Sequence, residues 1–569
     1  MSEKITKVFN VTARAVIAVF FTFLVGVLTM AALTGTTGLE IISEGCGVDT
    51  VVQRIRDKFE SVIYYNDDIL ANFIWLAAFM AIALLIVKLS KKLDEKKFPL
   101  WLEIGLLCSW TVVWGFIWVH TSQLSPTEDS LTVLNASLDA VKDKYTTMTD
   151  IRYFQYYRFQ LGYVFFNEVL IRAAQVFGEV KTLLFLQDIS VVMLSSSYAA
   201  LLLSANRIFK DRRIIHVMAV LLAITMQPVL TCSFLYGLVP GLAFAIWAVY
   251  CEIVMIQSST WKGKIISGVL AALFVSLSVM IKSNNLIVLV AMVIYAVIYM
   301  FSDKKQLVCA AAAIVSIIGC VALPNIVANS YENRAGKDLG DSIPFVSWFA
   351  LGMNEADNAP GWYNYGSTMS NFENSNFDAD VAAERSVEEI KGRLKVFKKS
   401  PQYRNDFFYK KYVSMWNETS YESIWNNQVR AQYKEKTGLA KWVCGKGEAR
   451  VKHFMDLLAQ FVFVGTLASV VYCVKKKNTL GLFPALITIG GMLYHLLAEA
   501  KSQYAVPYYV WMTAFAAVGI VFMADKLLPI IQGKKAEPAV ESAPAENESR
   551  EEKKAPVKSV KSKRMKRKK

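Results

Sequence analysis

The chain has 569 residues, of which 54% are hydrophobic, and a formal net charge of +15. Its apolar runs repeatedly reach the ~20 residues that cross ~30 Å of hydrocarbon, and Lys, Arg and aromatic residues flank them. This excludes a water-soluble protein with one core. The sequence also lacks a glycine-rich phosphate loop, a metalloprotease helix and a nucleophile elbow, which disfavours cytoplasmic nucleotide hydrolysis.

In chain order, Lys4, Lys7 and Arg14 precede an apolar stretch from about Val11 to Leu33. It is too long for a secretory h-region and has no clear cleavage site, so it reads as a retained span that doubles as a signal anchor. Further spans fall near 70–89, 101–119, 183–205, 214–230, 238–257, 264–281, 285–301, 307–326, 455–473, 479–497 and 505–524. All read as helices, because a lipid-exposed segment must close its own backbone hydrogen bonds and these runs are too long and apolar for barrel strands. The expected fold is therefore an all-α polytopic membrane protein with about twelve or thirteen transmembrane helices.

Basic clusters at 88–97, 207–213, 262–264, 304–305 and 475–477 mark the cytoplasmic loops, and both termini join them. Three long segments, 36–69, 120–182 and 327–453, then face the opposite side. This divides the chain into an N-terminal hairpin (1–100), a membrane core (101–326) with an outer loop at 120–160, an outer domain (327–453), C-terminal helices (454–526) and a tail (527–569). Segment 162–177 is apolar but carries Glu168 and Arg172. Counting it as a thirteenth crossing breaks the even parity, and an interfacial helix is the alternative.

The outer segment 327–453 is rich in Trp, Tyr, Asn and charge, with helical periodicity from Asp378 to Val396, and reads as a small α-rich or mixed domain. Its stretch Phe345 to Tyr365 mixes Trp348, Trp362 and Tyr363 with Asn354, Asn364, Gly352 and Gly361. That mixture suits a sugar's CH face and hydroxyls, and equally an aromatic belt at the membrane interface. From Lys558 to Lys569, eight of twelve residues are basic. With the Ala/Pro/Glu-rich stretch before it, this tail reads as disordered, a cytoplasmic topology anchor or contact for anionic membrane lipids rather than for nucleic acid. Six of the eight cysteines lie in or beside apolar runs; only Cys46 and Cys444 sit in polar loops where a disulfide is conceivable.

Chemistry concentrates after the span that ends near Val119. Glu128 and Asp129 follow it directly, where a carboxylate meets a lipid-linked substrate at the outer leaflet and accepts a proton from an acceptor hydroxyl. The same acids also fit a solvated helix start. A phosphate leaving group at that depth needs cations, and Arg152, Arg158, Lys282 and Lys501 lie at outer ends of separate helices, each also readable as a snorkelling anchor.

The stretch Tyr153, Phe154, Tyr157, Gln160, Leu161, Gly162, Tyr163, together with the acids before it, resembles the GT-C superfamily of membrane glycosyltransferases. The resemblance is to bacterial relatives of the protein O-mannosyltransferases and aminoarabinose transferases. Segment 233–250 looks like their outer hairpin, Lys282 and Asn284 resemble a Lys-Pro-Asn site with Ser283 in place of the proline, and Glu499, Lys501 and Tyr504 resemble a Glu-x-Lys-x-x-Tyr pattern. The similarity extends over about residues 100 to 520.

The resemblance implies a GT-C-like fold in a bacterial plasma membrane, a polyprenyl-phosphate-linked sugar as donor, and a glycan, lipid or protein acceptor. It makes Asp129 the base, with Glu128 as understudy, and adds Tyr153, Tyr157, Gln160, Lys282, Asn284, Glu499, Lys501 and Tyr504 to the cations Arg152 and Arg158 as the substrate-binding set. A divalent ion, Mg2+ or Mn2+, held by Asp129 and Glu128 is open. The rival readings are a transporter or flippase of lipid-linked sugar or polymer, against which no internal repeat is seen, and a non-catalytic membrane assembly protein.

Overall fold

A computed structural model describes residues 2–43, 58–178, 181–301, 304–429 and 435–533. Cys46 and the basic tail lie outside the described residues. The protein is a helical, multi-pass membrane protein: among the described residues, eleven helices are long and apolar enough to cross a bilayer. Met1–Asp525 forms one compact unit, so the segment expected as an outer domain packs within the unit that holds the bundle.

The difference from the expected twelve or thirteen spans has a local cause. Segment 214–230 divides into helices Arg212–Ile224 and Gln227–Thr231. Pro228 opens the second helix, and a proline disfavours helical geometry in the residue before it and removes a backbone donor. Thr225 is extended at the break, and the buried Gln227 uses its amide on Thr419 O, 2.7 Å away.

Segment 162–177 is helix Leu161–Gln175, and it is not among the eleven. At 1.5 Å per residue it spans roughly 22 Å, short of the hydrocarbon thickness. Its Glu168 is buried and neutralised within protein: Arg172 and Arg334 donate to it at 2.9 and 2.6 Å, and the Tyr331 hydroxyl at 2.6 Å.

Segment 36–69 also departs from an all-helical reading. Strands β1 (Gly35–Ser43) and β2 (Lys58–Asn66) pair antiparallel, with Leu39 opposite Val62, and both of these side chains are buried. The run Ser61–Tyr65 supplies the β-branched and aromatic residues that favour a pleated surface. In the outer segment, the periodicity from 378 corresponds to helix Ala379–Lys399, where the Asp378 side chain caps the amides of Asp380 and Val381 at 2.9 and 3.0 Å.

The bundle has two chemically different ends. Arg14 reaches Lys477 O and Thr479 Oγ1, Arg212 pairs with Glu103 at 2.8 Å, Arg213 pairs with Asp525 at 2.6 Å, and Lys305 donates to Ser259 O. These basic loops share one end. The segments after Ser122, before Leu238, after Ile281 and between Leu497 and Ser502 meet one another at the other, through Asp129, Tyr236, Lys282 and Tyr504.

Candidate active site

At that second end four connections converge. Helix Leu100–Ser122 ends in a left-handed Gln123, and after a short extended stretch Thr127 caps helix Glu128–Val141. Glu128 itself has φ +48°, a conformation a non-glycine residue adopts at about 1–2 kcal/mol. The turn leaves Glu128 exposed and Asp129 half-buried. The Tyr236 hydroxyl, from the connection before helix Leu238–Gln257, donates to Asp129 Oδ2 at 3.2 Å.

Lys282 follows helix Trp261–Ile281 and is buried. Its Nζ lies 3.8 Å from the centre of the Tyr236 ring and 5.4 Å from that of Tyr504, both within cation–π range. Burial pushes this ammonium down to about 8, against the opposing pull of Glu499 and Asp129. Glu499 is the mirror case: burial raises its carboxyl to about 7, with Lys501 and Lys282 acting in the other direction. The Tyr504 hydroxyl donates to Glu499 Oε2 at 3.3 Å.

The short segment carrying Glu499 and Lys501 is fixed from several sides. The fully buried Lys411 donates to Gly352 O and, at 2.7 Å, to Ala498 O. The Ala500 amide donates to Gly361 O at 2.8 Å, and His495 Nδ1 to Glu499 O at 2.7 Å. Lys501 lies 3.6 Å from Glu422, a fully buried acid whose other oxygen accepts from Ser502 Oγ and the Gln503 amide at 3.2 and 3.3 Å. Gly361, at φ +73°, lets the chain pass the Lys411 stem, where a Cβ would overlap it.

The Tyr153–Tyr163 stretch forms the facing wall. It comes close because a Cβ at Gly162 would overlap the Met280 carbonyl, so the two segments touch through backbone. The Tyr153 hydroxyl is buried and meets Asp129 and Gln160; burial and the charge of Asp129 hold it protonated. Tyr157 packs 5.0 Å from Tyr153 and 6.2 Å from Trp348, and its hydroxyl meets Tyr363.

No known protein family, no curated protein and no solved structure matches the chain. The site is therefore read from its own residues.

Of the residues singled out from sequence, Asp129, Tyr153, Tyr157, Gln160, Lys282, Glu499, Lys501 and Tyr504 come together here. Four stand apart from the cluster. Arg158 is taken up by Glu332 at 3.0 Å and Asn329 at 2.9 Å. Arg152 is exposed and lies over the Phe377 ring at 5.1 Å. Glu128 is exposed at the helix start, and Asn284 is half-buried in the turn after Lys282, where Asn285 is the residue that reaches back to Ser278 O. Tyr236, Glu422 and His495 were not signalled by any spacing. Lys282 acts on Asp129 and, together with Lys501, on Glu499, so the cluster sets ammonium groups among carboxylates.

Proposed function

We propose that the protein is an inverting glycosyltransferase that uses a polyprenyl-phosphate-linked sugar at the extracytoplasmic face of the cell membrane. The observation that carries this reading is the meeting of two carboxylates, Asp129 and Glu499, with two lysines from separate connections, Lys282 and Lys501, at a single end of the bundle. A phosphate at the lipid boundary needs that cationic pair as its glycosidic bond breaks. An acceptor hydroxyl needs a base beside it.

In this reading the acceptor oxygen attacks the anomeric carbon from the face opposite the phosphate. The C–O bond to phosphate breaks with its electron pair on the phosphate, which the lysines stabilise, and the hydroxyl proton passes to Asp129. Tyr153 and Tyr157, with Trp348 behind them, offer aromatic faces to sugar rings on the open side. The acceptor class, whether glycan, lipid or protein, follows from what these rings select.

Sidedness rests on the basic end of the bundle lying in the cytoplasm, as positive loops do. The broken pair Arg212–Ile224 and Gln227–Thr231 then counts as one further crossing, which restores even parity and puts both termini inside.

The test is transfer from a polyprenyl-phosphate sugar by the purified full chain and its Asp129→Asn variant. Loss of transfer by at least ~100-fold with unchanged membrane insertion supports the base; a transporter or an assembly protein tolerates the change.

A further inference from the structure

A second polar cluster lies where the β1–β2 pair meets helix Glu448–Lys475. Asp67 follows β2, and its amide donates to Thr34 O at 3.1 Å. Thr36 Oγ1 donates to Asp67 Oδ2 at 2.9 Å, and Asn72 Nδ2 approaches the same oxygen at 3.4 Å. The Thr36 side chain also reaches Asp456, and the charges of Asp67 and Asp456 act on each other. Asp456 is only 5% exposed.

The acceptors here outnumber the donors. Gln460 Nε2 donates to Asp456 Oδ2 at 3.1 Å, yet Asp456 Oδ1 is buried with no partner. Gln460 is fully buried, and its Oε1 is also without a partner. Among the described residues, no Lys, Arg or His pairs with either carboxylate. Two interacting carboxylates without a basic neighbour persist when a proton or a metal ion sits between them. One proton satisfies one oxygen, whereas the cluster leaves two orphaned acceptors in addition to the Asp67 carboxylate and the Thr36 hydroxyl.

We propose that Asp67, Asp456, Thr36 and Gln460 form a Ca2+ site that clasps the β1–β2 pair to helix Glu448–Lys475, separate from the pocket at Asp129. All the donors are hard oxygens, two of them carboxylates that balance a divalent charge. They come from a strand, a strand end and a helix, an irregular set that suits the flexible six-to-eight-oxygen shell of Ca2+ better than the strict octahedron of Mg2+. Among the described residues no group of three or more His, Cys, Asp or Glu could hold a metal ion by itself, so the remaining ligands are neutral oxygens such as these. A Gln460 amide turned by 180° presents Oε1 to the ion in place of Nε2. The clasp also fixes the outer segment, because the Thr37 amide donates to Asn417 O and Asn417 Nδ2 to Gly35 O at 2.8 Å. It is independent of the glycosyltransferase reading.

The test uses the chelator-treated full chain in detergent with Tb3+ and Ca2+ alone. Tyr421 and Tyr509, both close enough to feel the charge of Asp456, serve as sensitisers of Tb3+ emission. Expected is saturable emission that Ca2+ displaces, lost in Asp456→Asn and weakened at least ~10-fold in Asp67→Asn, with Ca2+ raising the wild-type melting temperature by roughly 2 °C or more. Emission equal in the wild type and both variants overturns the site, and so does a wild type indifferent to Ca2+, the outcome expected of a shared proton. If Asp456→Asn does not fold, the wild-type response and Asp67→Asn at its half-buried position decide the matter.

Discussion

Lys282 presents its ammonium to the face of Tyr236, 3.8 Å from the ring centre, while the hydroxyl of that same tyrosine lies 3.2 Å from Asp129. The ring meets a cation on its face and an anion at its hydroxyl, and the two charges act on each other. One side chain thus holds both groups, the ammonium at its ring face and the carboxylate at its hydroxyl.

Tyr236→Phe retains the ring and loses only the hydroxyl, so transfer falls by about 10-fold, the scale of one hydrogen bond to a charged group. Tyr236→Leu removes the ring face and lets Lys282 close on Asp129, with a loss of ~100-fold or more. Initial rates of the two variants at saturating donor check the order.

The depressed Lys282 ammonium sets an alkaline limit. A lysine titrating at about 8 is cationic below that pH and neutral above it, so donor affinity is present below about 8 and lost above. The profile of kcat/KM against pH reports this group in the free protein. Lys282→Arg, charged throughout, moves the limb beyond pH ~10 even if the rate itself drops.

Lys411 positions the Glu499–Lys501 segment without entering the pocket. Lys411→Met leaves the buried carbonyls of Gly352 and Ala498 without their donor, a cost of about 1–3 kcal/mol each. The expected outcome is a lower melting temperature together with a fall in kcat larger than the rise in KM. A purely structural role would lower the melting temperature and leave the kinetics of the folded fraction unchanged.

Arg158→Ala separates charge that holds helices from charge that holds substrate. Its guanidinium serves Glu332 and Asn329, so the variant loses about 1 kcal/mol of stability and binds a polyprenyl phosphate as the wild type does. Lys501→Ala, on the same binding assay, loses affinity at least ~10-fold.

The legible part of the protein lies on the link from hydropathy to span, because lipid forces every crossing to declare itself as an apolar run. The residues at span ends were legible too: once alternate connections share one end, Asp129, Lys282 and Lys501 have few other places to go. What the sequence hid depends on partners far along the chain. Arg158 reads as a free outer cation until Glu332, 174 residues later, is seen beside it. Glu422 carries no motif, and its value appears only when Lys501, Ser502 and Gln503 close over it. Pro228 did signal the break at Thr225, but the apolar run across it masked the signal. The pairing of Gly35–Ser43 with Lys58–Asn66 was hidden because its alternation is short and half-polar.

The most direct measurement is a density map of the full chain with a polyprenyl phosphate bound. The account predicts the phosphate within ~3.2 Å of Lys282 and Lys501, with Asp129 facing the vacant sugar position. A phosphate seated at Arg158 or at the basic end of the bundle, with Asp129 turned away from it, contradicts the account.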